Sequence, residues 1–137
     1  MGLKGEEGQS AVEFALVLPI LIVLLCGIID FGWLYSCDIA ATNAAREAAR
    51  YTAVHYYDSS ADDDLSKAKS IVLEDAPQLP AGSTQIELLS LDTDSDGIQE
   101  SVQIKVTTPI QLLTGLTSMI LGKSAITISA TSIMKFE

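Results

Sequence analysis

The sequence predicts an α+β protein: one long N-terminal helix, apolar in its first half, carrying a short second helix and a small antiparallel sheet. Three observations predict it. Residues 14–29 form an uncharged, strongly apolar run. Alanines at 41, 44, 45, 48, 49 and 53 then continue a helical stripe with no Gly or Pro between residues 38 and 54. The second half of the chain carries runs that alternate apolar and polar residues, the pattern of half-buried strands.

The long helix is expected over about residues 10–56. A bilayer span needs about 20 mostly apolar residues, and residues 11–29 satisfy this, with Glu13 at the entrance and Asp30 at the far boundary. Pro19 removes one backbone hydrogen bond and is expected to bend or loosen a turn. Arg46, Glu47 and Arg50 lie off the alanine stripe and can pair at one-turn spacing. Small residues along one face allow close approach of a sheet or a helix. A removable secretory signal fits poorly, because the first eight residues hold Lys4 against Glu6 and Glu7, and the small residues after the apolar run lie inside the helix. The same charges leave little positive-inside bias to set orientation.

A polar break at 58–64 precedes a second helix over 61–75, closed by Pro77, Pro80 and Gly82. Strands follow at 85–91, 100–108 and 124–136. Ile86 and Leu88, then Val102, Ile104 and Val106, then Ile126, Ile128, Ala130 and Met134, mark the faces expected to meet the alanine stripe. Residues 109–122 are apolar and uncharged but too short to span a bilayer, so they form a loop, a short helix on the sheet or an exposed contact surface. The organisation is a leader at 1–8, a long helix at 9–57 (membrane part 9–30, amphipathic part 38–57) and a head at 58–137 with an acidic loop at 92–100.

Charge excludes some partners. Eighteen acidic residues oppose eight basic ones, for a net charge of −10. Nucleic acid requires clustered Lys and Arg and is excluded as a partner. Membrane association must come from inserted apolar surface. Cys26 and Cys37 lie roughly 16 Å apart on one helix, too far to bridge each other. His55 belongs to a helix end, no His, Cys and acid set offers zinc ligands, and no serine lies in a nucleophile elbow. The expectation is a protein without enzymatic activity.

Two constellations carry chemistry. The first is Gly8-Gln9-Ser10-Ala11-Val12-Glu13-Phe14. A carboxylate entering lipid needs a partner. A cut after Gly8 would give Gln9 a new α-ammonium, which on a neighbouring subunit could neutralise Glu13 and set axial register. Alternatively Glu13 snorkels to the surface at a helix N-terminus. The second is the loop Asp92-Thr93-Asp94-Ser95-Asp96-Gly97-Ile98-Gln99-Glu100. Asp92, Asp94 and Asp96 side chains, the Ile98 carbonyl and Glu100 can wrap Ca²⁺. Position twelve is Gln103 rather than the Glu of an EF-hand, and the run is closer to thrombospondin type 3 calcium loops. A polar hairpin turn built on Asp96-Gly97 is the other reading.

The stretch from Gly8 to Val54 resembles the TadE-like family, minor pilins or pseudopilins of the tight-adherence, type IV-like pilus. Gly8 with Glu13-Phe14, Leu18-Pro19, Asp30-Phe31-Gly32 and Ala44-Ala45-Arg46-Glu47-Ala48-Ala49-Arg50-Tyr51 carry the resemblance. Residues 109–122 followed by 126–134 also fit the family's ending. The resemblance implies a type IV pilin-like fold and cleavage by a prepilin peptidase between Gly8 and Gln9. It implies insertion in the bacterial inner membrane with the head outside the cytoplasm, followed by incorporation into, or initiation of, a filament at the cell surface. The implied partners are other pilin subunits, the peptidase and the assembly platform, with Glu13 and Phe14 docking subunits. The alternative is a single-pass anchored, extracytoplasmic Ca²⁺-binding module that does not polymerise.

Overall fold

The alternating faces and the alanine stripe find each other in the computed structural model, which describes residues 3–55, 61–91 and 100–136. The order is α1 (Leu3–His55), α2 (Ala61–Asp75), β1 (Gln85–Leu91), β2 (Ser101–Gln111), α3 (Gly115–Leu121) and β3 (Ala125–Lys135). The expected α+β architecture is the observed one. Helix α1 has 53 residues, about 80 Å at 1.5 Å per residue. It runs unbroken through Pro19 and starts earlier than expected: Lys4, Glu6 and Glu7 favour helix, and Gly5 weakens it without ending it.

The buried face of α1 begins at Asp30 and continues through Cys37, Ala41, Ala44, Ala45, Ala48, Ala49, Thr52 and Ala53. These positions recur at three-, four- and seven-residue steps, one stripe on a helix. Before Asp30 no described residue of α1 is fully buried: its most apolar 18-residue window has mean hydropathy 2.8, and none of that window is buried in the chain. A core helix of a water-soluble domain would bury that surface, so the segment fits a membrane anchor.

The sheet has the order β1-β2-β3, antiparallel throughout. Val102, Ile104 and Val106 of the central strand are fully buried against the alanine stripe, with Ile86 and Ala130 beside them. Ser132 shares that phase and is buried as well. Alanines bring the helix backbone close to the sheet, so the core is thin and the β-branched residues of β2 fill it. Helix α2 packs Ala68 and Val72 into the same cluster. Off the stripe, Arg50 and Glu47 pair at 2.9 Å on the exposed face. The Arg50 guanidinium lowers the Glu47 pKa by hydrogen bond and charge.

Strand β2 is longer than the alternation suggested, reaching Gln111 through Pro109. Strand β1 begins opposite Thr107, so at Pro109 β2 is paired only with β3. An edge position tolerates a residue without an N–H.

Thr52 is fully buried, and its Oγ1 has no hydrogen-bond partner among the described residues. A desolvated, unsatisfied hydroxyl costs about 1–3 kcal/mol. Thr52→Val keeps the shape and removes the hydroxyl. It is expected to raise stability by about 1 kcal/mol in denaturant unfolding; a loss of stability would mean the hydroxyl is satisfied.

Candidate functional site

The helix entrance and the boundary between apolar span and head are the two places where polar groups meet apolar surface. Gly8, Gln9, Glu13 and Phe14 all lie on the first turns of α1 and are exposed. A Cβ on Gly8 would meet nothing within 4 Å. Nothing inside the chain therefore requires glycine there, although glycine weakens a helix by about 1 kcal/mol relative to alanine. Gln9 Nε2 donates to Glu13 Oε1 at 3.2 Å. Helical spacing thus brings together the two residues expected to interact across subunits. The neutral amide is a weaker partner for a carboxylate than an ammonium would be.

Asp30 is the polar feature whose role the sequence did not reveal. It is 2% exposed, although no other charge lies between residues 14 and 37. Its Oδ1 accepts from the Leu113 N–H at 2.8 Å and the Thr114 N–H at 2.9 Å. Its Oδ2 accepts from the Thr114 hydroxyl. Three donors converging on two oxygens complement an ionised carboxylate. Thr114 is also the residue before α3, and its Oγ1 lies 2.8 Å from Thr117 Oγ1. With its hydroxyl committed to Asp30, Thr114 makes no side-chain cap to the α3 backbone. Gly122 closes α3 in the left-handed region, at φ 66°, where glycine carries no Cβ penalty. The latch therefore ties the β2–β3 connection to α1, at the residue where the apolar span ends. The lone Asp in an apolar run was the available signal, but its partners lie 83 and 84 residues away.

Around the latch, Phe31 and Tyr35 are exposed and stack at 6.3 Å. Half-buried Trp33 lines an open groove of about 500 Å³ with Gln78, Pro80, Pro109 and Leu112. Both cysteines are free thiols, Cys26 half-buried and Cys37 buried. Burial pushes the Cys37 thiol pKa up, which makes it an inert core residue. His55 stacks on Tyr51 at 4.2 Å, and its Nδ1 lies 2.9 Å from the Tyr51 carbonyl.

Asp92, Asp94, Asp96 and Ile98 of the acidic loop lie outside the described residues. Glu100 is described and half-buried. Its N–H donates to the Leu91 carbonyl at 2.9 Å, and its carbonyl accepts from the Phe136 N–H at 2.8 Å. Leu91 pairs with Ser101, so both ends of the loop are held by the sheet. Among the described residues no cluster of three His, Cys, Asp or Glu could hold a metal.

No curated protein and no solved structure matches the chain. The family described as TadE-like protein matches residues 8–50, a segment that takes in the helix entrance, the apolar span, Asp30 and the alanine stripe as far as Ala49. Over that segment, the N-terminal third of its length, the chain is similar to TadE-like proteins.

Proposed function

We propose that this protein is a minor pilin or pseudopilin of a tight-adherence, type IV-like pilus, with a structural rather than an enzymatic role. In this reading α1 inserts in the bacterial inner membrane with the head outside the cytoplasm. A prepilin peptidase cuts between Gly8 and Gln9. Assembly on a membrane platform then moves the processed chain into a filament, or lets it start one, among other pilin subunits.

The observation that carries the reading is Glu13 at the entrance of an apolar helix that the chain itself leaves uncovered, with the Gln9 amide beside it. In a filament core the Gln9 α-ammonium of a neighbouring subunit would replace that amide, and Phe14 would pack alongside. Ionic pairing in an apolar surrounding is strongly position-dependent, which suits it to fixing subunit register.

Intact-mass measurement of the protein from its native membrane is expected to give a chain beginning at Gln9. An uncut chain would favour the non-polymerising anchored module instead. Glu13→Ala is expected to be processed normally but to be lost from assembled filaments. Normal incorporation of that variant would remove the docking role.

The loop at 92–100 is further proposed to bind Ca²⁺ through Asp92, Asp94, Asp96, the Ile98 carbonyl and Glu100. The sheet holds both loop ends, which lowers the ordering cost of closing a shell of oxygens. Ligand present at 100 times Kd stabilises the folded state by about 2.7 kcal/mol. A rise in Tm with Ca²⁺ that chelation reverses is expected. An unchanged Tm would leave the loop as a turn.

A further inference from the structure

We propose that α3 is an interfacial foot, a two-turn helix whose apolar face rests in the bilayer leaflet on the head's side of the membrane. The inference rests on α1 being a membrane anchor and adds a second point of contact with lipid.

Four observations place lipid on this surface. The buried face of α1 starts at Asp30, immediately after the apolar span, so no spacer separates the head from the bilayer edge. The span of residues 11–29 is about 28 Å long, close to the roughly 30 Å hydrocarbon thickness. The Asp30 latch then fixes Leu113 and Thr114 at the depth where the span ends. Helix α3 begins at the next residue, Gly115.

The second observation is apolar exposure. No residue of α3 is buried, and Met119, Ile120 and Leu121 are 82%, 62% and 54% exposed. Such a cluster is costly in water, yet here it is continuous with surface that a bilayer already covers. The third is charge. Residues 101–136 contain Lys105, Lys123 and Lys135 and no acidic residue, although the whole chain carries −10. Lys123 directly follows the α3 cap and suits lipid phosphates. The acidic loop is attached at the opposite end of β2, roughly 30 Å from the foot at 3.3 Å per residue. The fourth is aromatic. Phe31, Trp33 and Tyr35 follow Asp30 on α1, in the zone where aromatic side chains anchor spans at the headgroups.

The test uses the unaltered chain in nanodiscs of phosphatidylethanolamine and phosphatidylglycerol, one copy per disc, treated with peroxide. Methionine oxidation is read by peptide mass at Met119 and at Met134, which is half-buried in the head. Lipid over α3 makes Met119 oxidise several-fold slower than Met134. Faster oxidation of Met119, as its exposure in the chain alone dictates, overturns the foot. Protection that requires two or more copies per disc also overturns it and assigns the surface to a subunit contact. A chain that does not enter discs overturns the anchor reading and the foot together; a chain that enters with Met119 open overturns the foot alone.

Discussion

Ile104→Ala is expected to cost about 3–5 kcal/mol, the upper part of the range for large-to-small changes in a core. Ile104 sits on β2, the middle strand of the sheet, opposite Leu88 on one side and Ser132 on the other, and is fully buried. The size of the effect follows from what surrounds it. The helix face opposite is alanine, with Ala41, Ala44, Ala45, Ala48 and Ala49 all fully buried. Alanine has no side-chain torsion with which to fill a void, so relaxation would require moving backbone. The cavity therefore persists, and the cavity contribution adds to the lost transfer free energy. Against a total stability of about 5–15 kcal/mol for a domain, one such change can unfold the head. Denaturant unfolding of the detergent-solubilised protein, followed by circular dichroism, measures it. Ile133→Ala, on the exposed face of β3, is the comparison and should change stability by less than about 0.5 kcal/mol. A cost below about 1 kcal/mol at Ile104 would mean that the helix and sheet can collapse together.

Asp30→Ala is expected to release the β2–α3 connection from α1. The variant removes all three hydrogen bonds to the latch and leaves the Leu113 and Thr114 N–H groups without their acceptor. Bonds to charged groups are among the stronger ones in proteins, so exchange of those two amides should accelerate roughly ten- to hundredfold. Asp30→Asn separates geometry from charge. Its Oδ1 can still accept from both amides, and its Nδ2 can donate to the Thr114 hydroxyl, so its effect should be intermediate. Thr114→Val removes only the hydroxyl bond and should be mildest. Hydrogen exchange read at Leu113 and Thr114 orders the three variants. Unchanged exchange in Asp30→Ala would show that packing of the connection, and not the carboxylate, holds it.

Much of the fold was legible because it rests on local periodicity. The period of 3.6 in the alanine stripe and the period of 2 in Val102, Ile104 and Val106 each define a face. Two such faces in one small chain have little to cover them except each other. Gln85–Leu91 and Ala61–Asp75 are the spans that the residue pattern delimits. The end of β2 was not legible, since Pro109 reads as a breaker until it is known that the pairing with β1 reaches only to Thr107. The helix entrance was legible as a motif, and the TadE-like segment matches it.

By itself the sequence determined the apolar span, the alanine-faced spine, the strand faces and the entrance motif at Gly8 and Glu13, because each is written in neighbouring residues. Only the tertiary structure decided that Asp30 is an internal acceptor rather than a boundary charge. It also placed the uncharged stretch around α3 beside the end of the span. Both depend on contacts between residues more than 80 positions apart, set by the antiparallel return of β2 and β3 along α1. Periodicity specifies which face of an element is buried; the depth at which a distant loop meets a helix follows from strand length and register.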